Sequence, residues 1–167
     1  MALSLRNILA TFAVLLLLLL TACDVGCYEN RSSVPRASLY AYNMPDKTIS
    51  VDSLSIYGVG QKSGAMIVNC GRRVSSFTLP FRNDSDTTQF VIRYDVKALA
   101  QYDVTDTLTF VYVRYPHFIS ADCGVTFNYQ IEQFDYTTHM LDSAALMVDV
   151  VTNIDEETLR LYYYVAQ

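Results

Sequence analysis

The chain has 167 residues, 51% of them hydrophobic and 13% aromatic, with a formal net charge of −5. Its 12 basic residues form no cluster larger than Arg72-Arg73, which argues against nucleic acid as a partner, since phosphate binding needs a concentrated basic face. With 13 tyrosines, no tryptophan and few glycines or prolines, and with Val, Ile, Thr, Tyr and Phe recurring where Ala/Glu/Lys/Leu runs are missing, the composition reads as all-β.

Residues 1–22 stand apart. Arg6 is the only charge before Asp24, and Ile8 to Leu20 is apolar except for Thr11, ending in six leucines. A spanning helix needs roughly 20 apolar residues. This shorter stretch has instead the charged start, apolar middle and small-residue exit of a secretory signal. Leu20-Thr21-Ala22-Cys23 resembles the bacterial lipobox, in which a small residue precedes a cysteine whose thiol receives diacylglycerol before cleavage frees its α-amino group for a further acyl chain. Cys23 is therefore the expected lipidation site, and the membrane the first partner. Each buried CH₂ adds ~0.8 kcal/mol, so a multiply acylated cysteine anchors a protein without any spanning helix. An ordinary signal peptide with a chance cysteine, or an uncleaved anchor, is the alternative.

Cleavage would leave 145 residues with eleven basic and seventeen acidic side chains, a length suited to one domain. Residues 23–35, polar, aperiodic and closed by Pro35, read as a lipidated tether, and 36–167 as the folded domain. In chain order, strands are expected at 38–42, at 49–57 with a phase slip at Asp52-Ser53 that reads as a bulge, and at 65–68, 74–81 and 88–95. Residues 83–86 would join the last two as a hairpin. Residues 95–102 could form one or two helical turns, with Asp95 as cap and Val96, Leu99 and Ala100 inward. Residues 108–115 are apolar on both faces and read as a central strand. From Val125 to Ile131, apolar and polar residues alternate strictly, giving one buried and one wet face. Residues 146–150 and 159–165 read as a hairpin around a turn at 153–157. About eight or nine short strands with no intervening helices predict a single β-sandwich, immunoglobulin-like or related, with a closed β-barrel as the alternative.

With Cys23 committed to lipid, Cys27, Cys70 and Cys123 remain, an odd number for an oxidising compartment. The cysteine just beyond the lipobox, Pro35-Arg36-Ala37-Ser38-Leu39-Tyr40, Thr78-Leu79-Pro80-Phe81, Asp106 to Phe110 and Phe118 to Gly124 resemble a family of short Bacteroidota lipoproteins known only as a domain of unknown function. The resemblance implies a lipidated protein of the bacterial cell envelope, at the outer membrane and facing the periplasm or the outside. It also implies a Cys27–Cys123 disulfide with Cys70 left over, against three unrelated thiols. It implies no activity.

No residue set rises to a catalytic site, so a non-enzyme is expected. His117 and His139 are the only histidines, and neither has a second histidine or a cysteine at metal-ligand spacing, so no metal and no cofactor are expected. A Cys123 nucleophile with His117 as base would be abolished by the disulfide. Residues 83–88 lack the turn glycine and terminal glutamate of a calcium loop and read as a solvated tip. Asp52-Ser53-Leu54, Asp86-Thr87-Thr88, Asp106-Thr107-Leu108 and Asp142-Ser143-Ala144 resemble the acceptor tripeptide for O-glycosylation of exported Bacteroidota proteins, with plain turn chemistry as the alternative. Tyr162-Tyr163-Tyr164 must send rings to both faces of the last strand, which nominates Tyr162 and Tyr164 as a binding surface. The functional expectation is an envelope-anchored lipoprotein acting as a protein-interaction or structural module. A carbohydrate-binding accessory domain and a fimbria-like subunit are the alternatives.

Overall fold

The structure is a computed structural model that describes residues 26–165, apart from 28, 31, 62–64 and 100. Cys23 and residues 1–22, the expected secretory signal, lie outside the described residues. Eleven strands and no α-helix are present among those described: β1 (Arg36–Ala41), β2 (Met44–Thr48), β3 (Leu54–Gly58), β4 (Val68–Gly71), β5 (Ser76–Thr78), β6 (Thr87–Tyr94), β7 (Thr105–Ser120), β8 (Gly124–Tyr136), β9 (Ser143–Leu146), β10 (Val150–Val151) and β11 (Glu157–Tyr163). They form two sheets, one ordered β2-β1-β11-β9 with β5 also on β1, the other β10-β8-β7-β6-β3-β4. The all-β sandwich follows. Strands β1 and β11 pair in parallel, Leu39 beside Leu161 and Ala41 beside Tyr163, so the first and last strands lock each other into the centre of one sheet.

The core is built by period-two burial. Along β7, Asp106, Leu108, Phe110 and Tyr112 point inward while the intervening residues are half-buried. Phe81, on the crossover between β5 and β6, stacks on Tyr112 at 4.4 Å and meets the ring of Tyr129 edge-on at 5.3 Å. The buried Tyr112 hydroxyl is satisfied by the Arg82 carbonyl at 2.8 Å and the Thr88 hydroxyl at 2.7 Å, as a phenol removed from water requires.

Several expected elements divide differently, and the common reason is that the chain changes sheet. The slip at Asp52-Ser53 is a crossover rather than a bulge: β2 lies in one sheet and β3 in the other, with Ser53 at φ 60° between them. Residues 83–86 close no hairpin, because β5 and β6 also belong to different sheets. At the C-terminal end Leu146 does pair with Leu159, but Val150 and Val151 leave for the other sheet and pair with β8. The helical candidate shrinks to one 3₁₀ turn, Lys97–Leu99. Asp95 is drawn away from capping, since its carboxylate takes the Ser55 hydroxyl and the Arg93 guanidinium.

Strand β7 is central, as expected, yet only one of its faces is covered. It pairs with β6 only up to Val111, and β8 pairs with β10 only at Tyr129 and Gln130. Beyond those points β7 and β8 continue alone as a two-stranded ribbon, with Phe118 opposite Val125 and Ser120 opposite Gly124. Gly124 closes the turn at φ +76°, a conformation that favours glycine. The alternation expected for 125–131 therefore outruns the core. Tyr129 and Ile131 are buried, Val125 and Phe127 are exposed, and Asn128 on the expected wet face is buried under Ser33.

Cys27, Asn30 and Ser33 do not hang free. Cys27 is disulfide-bonded to Cys123, Asn30 and Asn153 exchange side-chain to backbone hydrogen bonds, and the Ser33 hydroxyl donates to Asn128 at 3.0 Å.

Candidate functional site

At the end of the sandwich opposite the ribbon, Asp106 sits fully buried at the start of β7. An unpaired carboxylate there would be costly. Each oxygen is met by donors: Oδ1 accepts from the Thr137 hydroxyl at 2.9 Å and the His139 N–H at 2.7 Å. Oδ2 accepts from the N–H groups of Met140 and Leu141, both at 2.9 Å, and from the Tyr94 hydroxyl at 3.0 Å. Burial pushes this carboxyl up, but the three backbone N–H groups and Thr137 outweigh it and hold the group below the ordinary aspartate value. Asp106 is thus the ionised anchor of loop 137–141.

The network reaches outward through Tyr94, whose oxygen lies 3.1 Å from the Tyr163 hydroxyl. Burial, first of all, raises both phenols, and the neighbouring Asp106 charge adds to it. His139 is fixed by a 2.7 Å contact from Nδ1 to the Thr105 carbonyl, with its ring otherwise largely exposed.

Above these tyrosines a cleft of about 850 Å³ opens between the sheets. Ile49, Val51, Val96 and Leu99 form its walls, and Tyr94 and Tyr163 its floor. Lys47, Asp52, Asp142 and Tyr164 stand at the mouth. Asp142 Oδ2 accepts the Tyr164 N–H and turns the chain as β11 ends.

The two nominated tyrosines do not share a surface. Strand β11 stops at Tyr163, so the alternation that would align Tyr162 with Tyr164 is broken between them. Tyr162 lies on the outer face against Tyr40, ring centroids 5.9 Å apart. It belongs to a packed group in which the Arg160 guanidinium covers Tyr40 and binds Glu157. Tyr164, at 66% exposure, stands at the cleft mouth. Cys123 is occupied by its disulfide, and His117, opposite Thr126 on the ribbon, is exposed. Loop 83–88 spends its oxygens locally: Asn83 Oδ1 accepts from Tyr129, and Asp84 pairs with Arg82. Among the described residues no group of three metal-ligating side chains gathers. Three of the four Asp-Ser/Thr aspartates accept from backbone N–H groups, Asp52 from Arg73, Asp106 from loop 137–141 and Asp142 from Tyr164.

Sequence reasoning passed over the Asp106 network and the cleft. The signal for the first was present, since Asp106 shares the inward phase of Leu108, Phe110 and Tyr112, where a lone acid demands partners.

The fold and its one-ended cleft define a small β-sandwich closed by the Cys27–Cys123 disulfide. The chain belongs to a family of unknown function (DUF6452), which matches residues 53–163. That span runs from the crossover into β3 to the last residue of β11, and includes Asp106 and Cys123. No curated protein matches the chain, and no solved structure does.

Proposed function

We propose that the protein is a lipid-anchored module of the bacterial envelope, held through Cys23, that receives an apolar segment of a protein partner in the cleft above Tyr94 and Tyr163. The observation that carries this reading is the cleft's construction. Aliphatic walls over an aromatic floor lie inside a rim of Lys47, Asp52 and Asp142, the apolar centre and charged border of a protein interface. Asp106 serves it by fixing loop 137–141 and Tyr94; with five donors on its two oxygens it is a positioning group. We assign no catalytic residue. The anchor is supported by the Leu20 to Cys23 motif, and the outer membrane by resemblance alone.

The exposed Tyr164 ring favours a second reading, a carbohydrate-binding accessory domain that stacks a sugar on that face. The fimbria-like reading draws no support from a particular contact, as β1 already fills the place beside β11.

Photo-crosslinking in intact cells tests the first reading. A benzophenone side chain placed at Val96, on the cleft wall, should yield a defined protein adduct, whereas the same group at Gln133, exposed on β8, should not. Failure at Val96, or identical adducts from both positions, contradicts the cleft as the interface. Flat binding isotherms over a polysaccharide panel, unchanged by Tyr164→Ala, dispose of the second reading.

A further inference from the structure

The β7–β8 ribbon ends in an apolar tip. Val113, Tyr115, Phe118, Val125 and Phe127 are all exposed, Phe118 to 63%. Between residues 113 and 127 the titratable acidic and basic side chains are Arg114, His117 and Asp122, and Arg114 is turned back to the Asn83 carbonyl. By the register Phe118, Val125 and Phe127 share one face of the ribbon, and Val113 and Tyr115 lie on the other. A ribbon without flanking strands is marginal in water, and apolar side chains exposed together upon it mark a contact surface.

What that surface meets follows from the disulfide. Cys123 lies in the turn that closes the ribbon and is bonded to Cys27. Cys27 is four residues from Cys23, and four residues of fully extended chain span at most about 14 Å. A lipid on Cys23 is therefore held beside the tip whatever path the intervening residues take. Phe118 and Val125 sit two to five residues from Cys123 in sequence and face one another across the ribbon.

We propose that the ribbon tip docks on the bilayer surface, with Phe118, Val125 and Phe127 seated among the lipid headgroups. This rests on the lipid anchor at Cys23. The bilayer is the occupant, rather than a second copy or a protein, because so short a leash gives the tip a membrane at high effective concentration in every anchored molecule. Asp122 in the turn keeps the contact interfacial, and Tyr115 suits the headgroup level, where amphipathic rings accumulate. Strand β7 runs from Asp106 under the cleft to Ser120 at the tip, fourteen steps that span about 46 Å at ~3.3 Å each. A seated tip thus turns the cleft away from the membrane, toward a partner.

The chain contains no tryptophan, so Phe118→Trp reports from the tip alone and Tyr164→Trp from the cleft end. Each full-length variant is expressed in the native envelope, purified, and reconstituted into phosphatidylethanolamine/phosphatidylglycerol vesicles with or without brominated acyl chains. Intact mass of the same sample reports acylation of Cys23. The expected result is blue-shifted emission quenched by bromine for Phe118→Trp and neither effect for Tyr164→Trp. Adding Cys27→Ser, which unties the anchor from the tip, should weaken the quenching. An acylated Phe118→Trp protein with aqueous, unquenched emission overturns the docking and leaves the lipid anchor standing. A mass without acyl chains overturns the anchor and the docking with it. A blue shift that bromine does not quench assigns the tip to a protein contact and also overturns the proposal.

Discussion

Asp106→Asn removes a charge from the centre of the cleft's support while keeping nearly the same shape. In its best orientation the amide oxygen replaces Oδ2 and still accepts from Tyr94, Met140 and Leu141, while the NH₂ replaces Oδ1. The Thr137 hydroxyl can reverse its role, but the His139 N–H, 2.7 Å from Oδ1 in the native protein, then faces a donor. One such buried unmade bond costs about 1–3 kcal/mol, and weakening of the surviving bonds brings the total to about 2–5 kcal/mol. For a domain of this size that lowers Tm by about 3–5 °C per kcal/mol. The pH dependence sharpens the test. Because the folded pKa is depressed, Asp106 contributes stability that is present above the unfolded aspartate value of about 3.9 and is lost as pH falls through the folded value. Urea unfolding of the disulfide-intact protein, from neutral pH to below the carboxylate range, should show a lower midpoint for Asp106→Asn and a shallower acid limb. A variant with the native midpoint and the native acid limb would refute the role given to the network.

Tyr94→Phe removes the phenol that joins Asp106 to Tyr163 and should cost about 1–3 kcal/mol in the same unfolding assay. Both phenols are raised by burial, so their stabilisation is intact below the unfolded value of about 10 and is lost above it. An alkaline absorbance titration should therefore show tyrosines that ionise only as the protein unfolds. Reduction of Cys27–Cys123, which closes a 96-residue separation, should destabilise by up to ~4.7 kcal/mol in the chain-entropy model, read as a fall in midpoint with reductant. Cys70 is exposed and unpaired, so the native protein should take up maleimide at Cys70 and at neither Cys27 nor Cys123.

The period-two pattern carried the strands but not their partners. Strand β6, from Thr87 to Tyr94, and the inward phase of β7 were legible because alternation depends only on neighbouring residues. Which sheet a strand enters depends on the crossovers. Ser53 at positive φ and the buried Phe81 look in sequence like a bulge and the end of a strand. Val113, Val125 and Phe127 were misread for a related reason: apolar residues on a strand predict cover, and here the covering sheet ends first. The cleft was invisible beforehand, since Ile49, Val96, His139 and Tyr164 meet only after four separate segments converge. Tyr162 and Tyr164 share a face in sequence and lose it in the structure, where β11 stops one residue short.

Peptide mapping of the protein isolated from its own membranes, kept under non-reducing conditions, addresses anchor and fold together. The account predicts an N-terminal peptide that begins at acylated Cys23 and is joined through Cys27 to the peptide carrying Cys123. A peptide that begins at Met1, or one in which Cys27 is a free thiol, would contradict it.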